Sequence, residues 1–487
     1  MKTKLIIMLL STLFALDATA QMDLDRIVVI SDIHLLSPDL VTPGAAIERA
    51  DAGESKMMVQ SDAIMNSITD SIIAIKPTLL LLTGDLTYNG ERLNHERVAQ
   101  YLDRMAAHGI QPLVIPGNHD CNNPYAKRYD GDNTTPAATV TREEFAQIYR
   151  NYGYGDQSLR DPASLSYCCE PMKDVVVIGI DSNMDEMNKL TSRGDSADVY
   201  FNGGRIKPET LQWVIEQATL ARQQGKQVIA MMHHHLVQHF DQEDRLLANY
   251  IVKDHDNIAN QFIQAGIHTV FTGHLHVTDA VSQYDATRTD SVVEVATGSA
   301  ICYPFAIRTA TFDSQHRTLN IDTRWLTATD DCPTLRDQGR QRIINSTPGM
   351  AAMLSGKAWS KLGGRMNQLK AMISMGGGQV NLPETPQQAT QLVLRHLSEV
   401  LSRALLAVVE GNEQEQDVES IIEEGKQGIR AMIAEVAPDQ ADNLWEFFRN
   451  DVYPKLDPLV RSILEDRNAV GTSQESHTGD LRLQVKL

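Results

Sequence analysis

An α/β fold of two sheets sandwiched between helices, with a mostly helical domain after it, is what this sequence predicts. Three observations point there. Short runs rich in Val and Ile alternate with amphipathic segments from Asp25 to about Trp325, several runs follow one another directly near the end of that stretch, and the β signal fades after Asp331. Alternating strands and helices followed by consecutive strands are the pattern of two sheets held between helices.

The first twenty of the 487 residues are set aside before any fold reasoning. Lys2 and Lys4 form a basic start, Leu5 to Leu16 an apolar run, and Ala18-Thr-Ala20 a small-residue cleavage site before Gln21. That is a signal-peptide pattern, so residues 1–20 are expected to be cleaved and the protein exported to a periplasmic or extracellular space. The run is too short to span a bilayer. No Cys follows the cut to carry a lipid, and no later stretch is apolar enough for a transmembrane helix.

Cleavage would take the formal charge from −19 to −20, because Lys2, Lys4 and Asp17 leave. Such acidity argues against a general nucleic-acid surface, which needs clustered Lys and Arg. A small anionic substrate held by metals stays compatible. Five cysteines (Cys121, Cys168, Cys169, Cys302 and Cys332) leave at least one thiol over if any pair forms. Adjacent Cys168 and Cys169 suit disulfide geometry poorly, and none has zinc-site spacing.

The strands are expected at Arg26–Ser31, Thr78–Thr83, Pro112–Pro116, Val175–Asp181, Gln227–Met232, His268–Thr272, Val292–Thr297, Arg308–Phe312 and Leu319–Arg324. Their shortness and lack of alternation suit strands buried on both faces. Helices are expected at Met58–Ile75, Asn94–His108 and Pro208–Gln224. These elements make a first domain of residues 21–330.

A C-terminal domain of residues 331–487 is expected to be helical and to end in a strand. Thr385–Glu410 repeats Leu and Val at helical spacing, with Pro383 before it and Gly411 as its stop. A second helix runs from Glu415 to Val436, ended by Pro438. A third runs from Gln440 to about Asp466 and is expected to break near Pro454 and Pro458. Met375 to Gly378 reads as a flexible joint and Ala469–Gly479 as a loose tail. Leu481–Leu487 alternates strictly and reads as a last strand on a sheet edge.

Five short blocks carry the chemistry: Asp32-Ile-His34, Gly84-Asp85, Gly117-Asn118-His119-Asp120, His233-His234-His235 and Gly273-His274-Leu-His276. Each follows an apolar β-rich stretch. Asp32 and His34 are two apart at a strand end, as are His274 and His276, so each pair can share an ion. Asp85 can bridge two ions through its two oxygens, and Asn118 offers a neutral amide oxygen. Any one block has a plain structural reading as a strand-end turn. All five in order point to two metal ions.

These blocks resemble the calcineurin-like metallophosphoesterases over about Asp25 to Trp325. The resemblance implies a four-layer α/β/β/α sandwich with a dinuclear site at the C-terminal ends of its strands. It implies that Asp32, His34 and His276 hold one metal and that Asn118, His233 and His274 hold the other, with Asp85 bridging. His234 and His235 are then expected to support the ligands or face substrate. Gly84-Asp85-Leu-Thr-Tyr88 echoes the purple acid phosphatase branch, where the Tyr binds iron. That branch has Gly in place of His34, so Tyr88 is expected to pack.

Two cations roughly 3.5–4 Å apart lower the pKa of a bridging water, so hydroxide can attack phosphorus near neutral pH. His119 is placed to stabilise the phosphoryl group or protonate the leaving oxygen, with Asp120 fixing its tautomer. The alternative for Asp120 is a carboxylate capping loop amides. Arg205, after Asn202-Gly-Gly, is a candidate phosphate contact, although a structural Arg in a tight turn is the plainer reading. The expected function is an exported dinuclear phosphoesterase acting on a small phosphoester, with a diester favoured because His119 can assist a poor alkoxide leaving group. The alternatives are a broad phosphomonoesterase and a binding protein on the same fold. The ligand mix accepts Mn, Fe or Zn, and neither oligomeric state nor the role of the C-terminal helices can be read.

Overall fold

The computed structural model describes residues 25–188, 203–375, 379–411, 417–466, 473–477 and 480–487. The expected signal peptide, Asn202 and the joint at 376–378 lie outside the described residues.

Uninterrupted apolar runs form the middle of both sheets. Arg26–Ile30 is buried at all but its first residue, and Leu79–Leu82 is four buried leucines. They pair in parallel, and Gln111–Val114 extends the ladder. Ala306–Asp313 and Thr318–Trp325 add antiparallel strands on the other side, and the C-terminal Arg482–Lys486 closes that edge. The result is a six-stranded sheet.

The second sheet has eight strands. Its parallel centre is Val175–Ile180, Gln227–Met232, Thr269–Thr272 and Ser291–Ala296. Along Gln227–Met232 the two faces separate: Ile229 and Met231 enter the core between the sheets, whereas Val228, Ala230 and Met232 pack under outer helices. That alternation follows from the two-residue period of a strand. The outer layers are Pro208–Gln223 and His255–Ala265 on this sheet, and Ser61–Ile75 and Arg92–Ala106 on the other. Four layers result, as the sequence predicts.

All nine expected strands form, within one or two residues at each end. Others were not expected: Lys127–Asp130 with Asn133–Pro136, Tyr167–Met172, and Asp279–Tyr284. Part of the supposedly loose tail is a strand as well, because Gln474–Ser476 pairs with Asp279–Tyr284.

The C-terminal helices include Leu335–Leu362, Pro386–Glu410 and Val418–Val436. Thr385 caps the second by accepting from Gln388 N–H, and Gly411 ends it at φ 58°. The expected break falls just before Pro454, and only the expectation at Pro458 is corrected. Pro458 lies within an unbroken helix, Tyr453–Leu464, whose first turn accommodates Pro454, and the irregular stretch is Phe448–Val452. The helices dock on the sandwich through Ile343, Leu406 and Val409 and an Arg342–Asp51 ion pair. Among the described residues no helix is long and apolar enough to cross a membrane. The five cysteines are free thiols.

Candidate metal centre

The donors sit where strands of both sheets end and the chain turns sharply. Asp32, His34, Asp85, His274 and His276 all have positive φ, between 39° and 70°. A non-glycine residue there is disfavoured and strained, and such residues gather at functional sites. Two glycines allow the turns to close. A Cβ on Gly117 would lie 2.2 Å from Asp85 Oδ1, and one on Gly273 would lie 1.9 Å from Ser31 Oγ and 2.4 Å from Asp32 Oδ2.

On one side, Asp32 Oδ1 lies 3.2 Å from His276 Nε2 and 3.7 Å from His34 Nε2, and the two imidazole nitrogens are 3.2 Å apart. Asp32 Oδ1 is buried with no hydrogen-bond partner. Its other oxygen is anchored by Ser31 Oγ–H (2.6 Å) and His274 N–H (3.0 Å). On the other side, His233 Nε2 lies 2.9 Å from Asn118 Oδ1 and 3.4 Å from Asp85 Oδ2. His233 Nδ1 faces the Thr83 carbonyl at 2.9 Å, so Nε2, which points at Asn118, is the nitrogen the ring can offer a metal. His274 shares this cluster with Asp85 and His233. Asp85 joins the two sides, since its Oδ2 is also 3.5 Å from His34 Nε2, while Oδ1 accepts from His119 N–H.

Acceptors facing acceptors in a buried space are costly unless a cation lies between them. The charges agree with such a site. Burial opposes ionising Asp85, yet His233, His119 and His34 hold its carboxyl well below the usual range. Burial disfavours charge on His233 and His276 too. Asp85 outweighs it at His233, pushed up to about 9, and Cys302 and Asp32 do so at His276, pushed up to about 10. These carboxylates draw in a positive charge that a bound cation would supply in place of the proton. Burial keeps His34 and His274 neutral, the form that ligates a metal. The residues therefore fit two hard-to-borderline cations.

All seven expected donors and His119 converge here. His119 lies on the rim, its Nε2 3.9 Å from Asp85 Oδ2. Its Nδ1 lies 2.6 Å from the Tyr88 carbonyl, so that carbonyl holds the ring in place. The expected orienting role of Asp120 is corrected accordingly. Its carboxylate accepts from Gly117, Leu86 and Thr87 N–H and from the Thr87 hydroxyl, tying the Gly84 and Gly117 loops together.

Two other expectations meet burial or an ion pair. His234 is fully buried, with Nδ1 on Ser182 Oγ at 2.9 Å and its ring against His274, which suits support of a ligand and closes it to substrate. Arg205 pairs with Glu186. Tyr88 packs with Leu36, Leu40, Met58 and Tyr129.

Several contributors lie outside the motifs. Ser299 donates to the Asp32 carbonyl (2.8 Å), and Cys302 Sγ is 3.6 Å from His276 Nδ1, so the segment after Ala296 braces one half of the centre. The Tyr303 hydroxyl donates to Glu410, which connects that segment to the C-terminal helices. Lys56 is a half-buried cation whose charge acts on His34, His119, Tyr250 and Cys302. Nothing in its local sequence marks it.

This fold and donor set define a metal-dependent phosphoester hydrolase. A calcineurin-like phosphoesterase family profile matches residues 25–278, just over half of the chain, and the chain belongs to that family. No curated protein matches it. Solved structures similar to it include a dimetal phosphatase from Danio rerio, 12% identical over 62% of this chain and 96% of that one, with a TM-score of 0.41. Another is purple acid phosphatase PPD1 from yellow lupin seeds, 11% identical over 63% of this chain and 52% of that one, with a TM-score of 0.37.

Proposed function

We propose that this protein is an exported dinuclear phosphoesterase that prefers small phosphodiesters. The observation that carries the proposal is the convergence of seven donors as two sets joined by Asp85 Oδ2. Asp32, His34 and His276 would hold one cation, and Asn118, His233 and His274 the other. When bound, such a pair supplies an activated water near neutral pH and neutralises charge on phosphate oxygens.

The chain's own residues do the rest. The Ser31 hydroxyl and the His274 amide fix the Asp32 carboxylate, and the His119 amide fixes that of Asp85. His119 reaches the substrate side from the rim, where a protonated Nε2 would donate to the leaving oxygen. Burial, with Lys56 adding to it, pulls His119 down to about 4 against the opposing pull of Asp85, so its ring is neutral until an anionic substrate arrives. Lys56 draws that anion in. Export rests on the basic, apolar and small-residue pattern of residues 1–20.

The test is turnover of an aryl phosphodiester beside the matching monoester, with Mn, Fe or Zn restored to chelated protein. Faster diester turnover, lost on chelation, is expected. Faster monoester turnover would overturn the diester preference, and metal-independent turnover would overturn the site.

A further inference from the structure

A second donor cluster lies beside the first and shares none of its residues. His235, His239 and Glu294 each aim one atom at a common point, all within 4.8 Å of one another. All three are buried, at 0%, 3% and 0% exposure. Glu294 interrupts the apolar strand Ser291–Ala296, where a carboxylate has no packing reason to be.

The protons are already allotted. His235 Nδ1 lies 2.8 Å from Glu243 Oε1, and His239 Nδ1 lies 2.7 Å from Asp279 Oδ2. Each carboxylate takes the Nδ1–H, which leaves Nε2 as the atom each ring can offer a metal. Burial opposes charge on His239, but Asp279 and Glu294 outweigh it and hold its pKa well above the usual imidazole range, so a metal would displace its Nε2 proton. Both Nε2 atoms are buried without a hydrogen-bond partner, and that of His239 faces Glu294 Oε1 at 3.3 Å. Glu294 is anchored by its other contacts and keeps one lone pair of Oε1 for the cluster. Its Oε2 takes Leu236 and Val237 N–H (2.7 and 2.6 Å), and its Oε1 takes the Thr272 hydroxyl (2.6 Å).

Two imidazole Nε2 atoms and a carboxylate oxygen thus converge in a buried space. A carboxylate behind each imidazole is the arrangement that orients metal-bound histidine.

We propose that His235, His239 and Glu294 bind a third, structural divalent metal ion, zinc by its donor set. Two imidazoles and a carboxylate suit that ion. It clamps the loop after His233 to Asp279–Tyr284 and Ser291–Ala296. That loop also carries Asn249 and Tyr250, which contact His274, so the clamp buttresses the catalytic pocket.

The test uses the full chain loaded with zinc. Crystals measured on both sides of the zinc absorption edge should show an anomalous peak about 2.0–2.2 Å from His235 Nε2, His239 Nε2 and Glu294 Oε1. The metal content of His239→Gln after desalting should fall by about one equivalent relative to the parent chain. No peak at these residues in crystals that show peaks elsewhere would overturn the proposal and leave a proton shared by His239 and Glu294. Should His239→Gln not fold, zinc titration of the Asp32→Asn, Asp85→Asn double variant replaces it. Retention of about one tight equivalent supports the site, and none overturns it.

Discussion

Gly273→Ala tests whether the metal centre depends on the close packing of its loops. The added Cβ would lie 1.9 Å from Ser31 Oγ and 2.4 Å from Asp32 Oδ2, well inside ordinary contact distance. The loop is pinned by Gly273 N–H on the His233 carbonyl (3.1 Å), so it cannot simply swing away. Either Ser31 rotates or the Asp32 carboxylate moves. Both disturb the 2.6 Å and 3.0 Å hydrogen bonds that aim Asp32 Oδ1 at His34 and His276.

A hydrogen bond to a charged group is worth about 1.5–3 kcal/mol. Losing one should therefore weaken one metal by about 10- to 100-fold, since 1.4 kcal/mol is a factor of ten. Activity would be followed against free Mn²⁺ concentration, with thermal unfolding recorded in parallel. The expected result is a midpoint shifted up by one to two decades, with turnover largely recovered at saturating metal. An unshifted midpoint in a folded variant would refute the reasoning.

His119→Ala should lower turnover by about 10²–10⁴ while leaving metal content unchanged. The loss should be larger for an alkyl than for a nitrophenyl leaving group, and equal losses would remove proton donation from its role. Lys56→Ala should raise KM several-fold with little change in kcat, an effect that added salt should shrink; an unchanged KM would place the ammonium away from the substrate. His95 gives a pH dependence of stability. Burial pulls it from 6.5 to about 4 in the folded protein, so as pH falls the unfolded chain takes up the proton first. Its contribution, about 3 kcal/mol, is complete above pH 6.5 and lost between there and pH 4. The melting temperature of His95→Gln should fall less steeply over that window, and parallel slopes would contradict the assignment.

Legibility in the sequence followed the strength of local signals. Val175–Ile180 and Gln227–Met232 are buried on both faces, and their apolar runs announce them. Asn133–Pro136 is fully exposed, and Tyr167–Met172 contains Pro171, so neither carries a strand signature. Leu335–Leu362 hides behind Pro348 and several glycines, although it forms one helix. The terminal strand was legible because one face is half-buried and the other is not.

At the metal centre, every donor lies in a short block that ends a strand, so local sequence sufficed. Lys56 comes from a segment with no motif, and the parts that Lys56, Ser299 and Cys302 play become visible only in the fold. Asp120 shows the opposite limit. Adjacency to His119 suggests a pair, but the turn sends the two side chains to different partners. Of the His235, His239 and Glu294 cluster the sequence showed His235, expected there to serve the first site, and an acidic residue in the middle of an apolar strand. Only the fold turns His235 toward His239 and Glu294.

The most direct test of the central claim is hydrolysis of a phosphoester by chelator-stripped protein as metal is added back, for the parent chain and for Asp85→Asn. The parent should be inert when stripped and regain full turnover with added metal. The variant, lacking the carboxylate shared by both donor sets, should stay near background at any concentration. Turnover without metal, or an Asp85→Asn variant as active as the parent, would contradict a centre joined through Asp85.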